Sequence, residues 1–166
     1  MLPFRHAGES GGRLLREEIG RRMVVAAGLI PCAAGLAMLA LSLWPATFGY
    51  DAGWLSLMGR HRFSAAQIAA RDPGIWALWL LEFHLCGVNL AISGTSIAVL
   101  AWHGLPRSPR WITAWIWVLL LWVGGNDAAA LVRYRLAVGA GVPIALSPLT
   151  LGAAGLVLSG RGYACR

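Results

Sequence analysis

The chain has 166 residues, 58% hydrophobic and only 13% charged, and its mean hydropathy is +0.64. A water-soluble domain carries about 25% charged residues, so this composition excludes an ordinary soluble enzyme fold. The net charge of +7 comes from fourteen Arg and no Lys, set in short segments between apolar runs; that is the pattern of topology signals and argues against nucleic acid as a partner.

About 20 apolar residues are needed to cross a bilayer. The first such run is 22–44, "RMVVAAGLIPCAAGLAMLALSLW", with Pro31 placed to kink it. It follows an Arg-rich segment, as a signal peptide would, but it is about twice the usual apolar length and no A-x-A site ends it. It is therefore read as a retained span. Residues 45–72 form an exoplasmic loop whose Tyr50, Trp54 and Phe63 suit the membrane surface. Within it, Ser64 and Gln67 have the capping-box spacing that starts a short interfacial helix. Asp72 then caps, and Pro73 opens, the second span, 73–102. The third span is 111–125, short and studded with Trp111, Trp115, Trp117 and Trp122, read as an aromatic belt. The fourth is 136–158, interrupted by Gly139, Gly141, Pro143 and Pro148. The fold expected is all-α, a single-domain bundle of four transmembrane helices.

Arg counts in the connecting segments set the orientation. With the N-terminus inside, nine Arg are cytoplasmic and five exoplasmic, which predicts a multi-pass protein of the cell membrane with both termini in the cytoplasm. Nothing matches a nucleotide-binding, hydrolase or metalloprotease motif, and the three Cys form no CxxC. No catalytic residue, metal site or particular cofactor is assigned.

The second span holds the side chains that stand out. With about 100° per residue and Glu82 at zero, Cys86, Asn89, Ser93 and Ser96 fall within about 40° of it. This stripe is expected to point into the bundle. Glu82 lies about 12 Å along the helix from its outer end, where an unpaired carboxylate must be protonated, paired or hydrated. The partners expected for it are the outer rim residues Asn126, Asp127, Arg133 and Arg135. Gly87, Ala91, Gly94 and Ala98 form a small-residue face on the other side, fit for close helix packing. His84 lies beside that face, a packing residue or an axial ligand for a tetrapyrrole. Cys32 and Cys86 both fall near mid-span, as two small buried residues or a redox pair.

The segment "LEFHLCGVNLAISG", with Glu82, Gly87, Leu90 and Gly94, resembles the DoxX-like small four-helix bacterial membrane proteins. The resemblance covers the topology and these residues. It implies an accessory protein of the bacterial inner membrane, with a role of some kind for Glu82. The function expected is an accessory or assembly subunit held to a larger membrane complex, or to further copies of itself, by the small-residue face of the second span. The alternatives are a haem, chlorophyll or quinone carrier using His84 or the Glu82 stripe, and a small transporter or proton path through Glu82.

Overall fold

The computed structural model describes residues 7–43, 65–107, 110–126, 128–129, 132 and 141–160, which are helical throughout apart from short connections and contain no strand. Helix α1 (Ala7–Leu43) passes through Pro31 without ending. The ring removes one backbone hydrogen bond, and Pro31 is buried, where the ring adds apolar contact. Helix α2 (Ala65–Arg71) begins where the capping-box spacing places it, although Ser64 lies outside the described residues.

Helix α3 (Pro73–Val99) starts as the sequence dictates. Asp72 is extended, and its Oδ1 accepts from the backbone N–H groups of Gly74 and Ile75, each at 3.0 Å. Those two donors have no intrahelical partner, so the side chain satisfies them. The end of α3 differs from an ordinary helix. It widens into a π-helical turn, Leu100–Gly104, and then tightens into a 3₁₀ turn, Leu105–Arg107. Arginines take two of the carbonyls of this widened turn. Arg21 Nη1 donates to the Trp102 carbonyl at 3.3 Å, and Arg107 Nη1 to that of His103 at 2.5 Å. Helix α4 (Arg110–Leu120) ends in a second π-helical turn, Leu121–Asn126. Helix α5 (Gly141–Leu158) carries Pro148 inside it.

Among the described residues two helices are long and apolar enough to cross a membrane: Gly12–Leu43 within α1, and Pro73–Arg107, which is α3 with its two terminal turns. Among the described residues α5 contributes a shorter apolar stretch, Ala145–Leu158.

The centre of the molecule is α1, not α3. Its buried face, with Val24, Ala27, Pro31 and Met38, is shared between α3 and α5. Against α3 the contact is backbone on backbone. A methyl group added at Gly94 would sit 2.5 Å from the Gly28 carbonyl oxygen, and one at Gly35 would sit 2.5 Å from that of Gly87. Against α5 the same device recurs one end lower, where a methyl group on Gly155 would lie 2.6 Å from the Gly20 carbonyl oxygen. Close backbone approach of this kind gives van der Waals contact where lipid supplies no hydrophobic drive between helices. Helix α4 runs back antiparallel to α3, with Ile112 seated on Gly104, and also packs on α5 through Leu120 against Gly152. Ile97, Ile116, Leu120 and Leu156 fill the space between these helices and are fully buried.

Candidate functional site

The small-residue face of α3 is taken up within the chain. Gly87 and Gly94 are buried against Gly35, Met38 and Cys32 of α1, and Ala91 and Ala98 lie against Gly35 and Gly28. This face therefore cannot also serve as the surface for a partner. The reason lies in α1, whose Gly28, Cys32 and Gly35 match the small residues of α3 across the crossing.

With α1 seated there, the opposite face of α3 turns outward. Glu82, Cys86 and Asn89 are exposed, Ser96 is half-buried, and Ser93 is buried. The expectation that the whole stripe points into the bundle is thus corrected for its outer half. Helix α4 meets α3 at Asn89, where the Trp122 indole N–H donates to Asn89 Oδ1 at 3.3 Å. Glu82 lies seven residues further out, about 10 Å along the axis, while the π-helical turn of α4 ends at Asn126. Among the described residues Glu82 has neither an ion pair nor a hydrogen-bond partner. Asn126 is exposed, and Asp127, Arg133 and Arg135 lie outside the described residues. The surroundings of Glu82 are apolar, with Ile75, Leu78, Leu81 and Leu85 all more than half exposed on the same side of α3.

Hydroxyls deeper in α3 are satisfied locally. Ser96 Oγ donates to the Ile92 carbonyl at 2.8 Å and Thr95 Oγ1 to that of Ala91 at 2.7 Å. Because the Thr95 proton is spent on Ala91, the Cys32 thiol, 3.4 Å away, donates to Thr95 Oγ1. Cys32 thus faces α3 from α1, whereas Cys86 is exposed on the opposite side of α3, so the two thiols do not form a redox pair.

His84 ties α3 to the C-terminal end of α1. Its Nδ1 lies 3.0 Å from Ser42 Oγ, and that hydroxyl donates to the Leu39 carbonyl at 2.8 Å. With its proton committed, Ser42 accepts, so Nδ1 carries a hydrogen and donates to it. Among the described residues no three His, Cys, Asp or Glu side chains come together as a metal site. Trp111, Trp115 and Trp122 are exposed along α4, and Trp117 packs partly on the core.

A second polar site was not singled out from the sequence. "RLLREEIGRR" places acids and arginines three and four residues apart on α1, the spacing at which helical side chains meet. Arg13 Nε bonds Glu17 Oε1 at 3.0 Å; Arg21 Nη2 and Arg22 Nε bond the two oxygens of Glu18 at 2.6 and 2.8 Å. The guanidiniums of Arg22 and Arg21 hold the Glu18 carboxyl below its usual range, in the charged turns that precede the apolar run from Met23. Arg21 also stacks over the Trp102 ring, 4.6 Å from its centroid. Beside this cluster a groove of about 280 Å³ opens between α1, the 3₁₀ turn and the end of α5.

No family model matches the chain, and neither a curated protein nor a solved structure is similar enough to count as a match.

Proposed function

We propose that the chain is a four-span protein of the cell membrane, with both termini cytoplasmic, that acts as an accessory subunit of a larger membrane complex. The surface we assign to the partner is the outer face of α3 around Glu82, in place of the small-residue face that α1 occupies. One observation carries this reading: a carboxylate without a partner among the described residues lies exposed beside Ile75, Leu78, Leu81 and Leu85, all more than half exposed. In a bilayer that face meets lipid, where a charged side chain near the helix centre costs at least about 2.5 kcal/mol. A partner helix presenting an arginine, lysine, amide or hydroxyl removes that cost. Symmetric pairing of two copies through this face would bring Glu82 toward Glu82, so the partner is a different chain.

The shorter helices are compatible with spanning. The 18 residues of α5 rise about 27 Å, close to the hydrocarbon thickness of about 30 Å. The reading is tested by a photoreactive residue at Leu78 or Leu85, with Leu29 on α1 as control. The expected result is a protein cross-link from either α3 position and lipid adducts alone from Leu29. Lipid adducts alone from all three would overturn it.

A second reading has one observation in its favour. The hydrogen bond to Ser42 engages Nδ1 of His84, so Nε2 is the nitrogen that could serve as an axial ligand. It predicts a coloured protein that bleaches in His84→Ala; a colourless preparation from native membranes removes it.

A further inference from the structure

We infer that the groove at the inner end of the bundle binds the headgroup of an aminophospholipid through its primary ammonium, on Glu17. This rests on the membrane reading of the chain but not on the Glu82 surface.

The level of the groove comes first. It lies where three apolar runs stop together: α1 at Arg22, α3 at its π-helical turn, and α5 at Leu158. The close approach of Gly20 to Gly155 and Ser159, and the Arg21–Trp102 contact, bring these ends side by side. An indole with an arginine over it is the usual furniture of the headgroup layer. A site at this depth meets lipid headgroups at high local concentration.

The chemistry of the walls follows from which charges are already committed. Glu18 accepts on both oxygens, and Arg21 gives its donors to Glu18 and to the Trp102 carbonyl. These two side chains form a fixed wall. Glu17 differs, because among the described residues only its Oε1 is engaged, by an Arg13 side chain that is 82% exposed. Such an exposed pair is worth at most about 1 kcal/mol. A primary ammonium entering the groove can take Glu17 in place of the exposed Arg13. Leu14, Leu105 and Pro106 supply the apolar side against which the ethylene and glycerol carbons rest. A quaternary ammonium lacks the N–H donors that Glu17 would accept from, so choline lipids bind less well.

The test is native mass spectrometry of the full chain, delipidated and then titrated with phosphatidylethanolamine or phosphatidylcholine in detergent. The expected result is about a tenfold preference for phosphatidylethanolamine, equivalent to about one charged hydrogen bond, lost in Glu17→Gln. That variant is expected to keep its fold, because Glu17 is only half-buried and its ion pair with Arg13 is exposed; unchanged circular dichroism checks this. Glycerophosphoethanolamine should compete only weakly, and inorganic phosphate not at all. Equal retention of the two lipids, or a preference that survives Glu17→Gln, would overturn the site. Glycerophosphoethanolamine binding as tightly as the lipid would overturn the lipid as its source.

Discussion

Asp72 shows how far one residue can determine local structure. Its side chain, its extended backbone and the following Pro73 together fix the start of α3, and all three are visible in "RDPG" because capping is local in sequence. Replacing it with Ala is expected to cost about 1 kcal/mol, read as a lower midpoint in thermal unfolding in detergent. Asp72→Ser should recover most of that loss. Glu82 behaves differently. Its helical stripe is legible from spacing, but the direction of the stripe depends on which face α1 claims, and that is a tertiary matter. Glu82→Leu is expected to leave the isolated chain as stable as before or slightly more so, because the carboxylate is exposed and has no partner among the described residues. A clear loss of stability on that change would mean that Glu82 is internal glue. For Glu18 the sign is fixed by its lowered pKa: its pairing with Arg22 and Arg21 persists above the ordinary value of 4.5 and is lost only as pH falls through the depressed one.

Among the helices, the crossing of α1 and α3 is the strongest structural feature. The α3 half of it, Gly87, Ala91, Gly94 and Ala98, stands out because small residues recur at helical spacing in an apolar run. The α1 half, Gly28, Cys32 and Gly35, reads in isolation as ordinary apolar sequence, and only the pairing of the two reveals that α1 occupies the centre. Gly94→Leu forces a side chain against the Cys32 backbone and the Gly28 carbonyl. It is expected to destabilise by at least about 1–3 kcal/mol and to separate the two helices, seen as loss of a cross-link between Cys residues placed in α1 and α3. Persistence of that cross-link would show that the close approach is unnecessary. The π-helical turns that end α3 and α4 have no sequence signature. In the turn that ends α3, arginines take two of the carbonyls, as Arg21 does from α1 across to Trp102.

For the molecule as a whole, the all-helical character and the two long apolar helices follow directly from composition and run length. The number of spans and their orientation are proposals that rest on short helices and on a bias of nine Arg against five. Substituted-cysteine labelling should find a Cys at residue 108 reachable from the cytoplasmic side and one at residue 57 from the other; the reverse pattern would invert the topology. The central claim is that the outer face of α3 holds another membrane protein through Glu82. It is tested most directly by native mass spectrometry of the protein extracted gently from its own membranes, wild type beside Glu82→Leu. The expected result is a wild-type species above 17.7 kDa that contains a second kind of chain, and a Glu82→Leu protein that flies alone. A wild-type protein that appears only as a monomer or homo-oligomer, or a complex that survives Glu82→Leu intact, would contradict it.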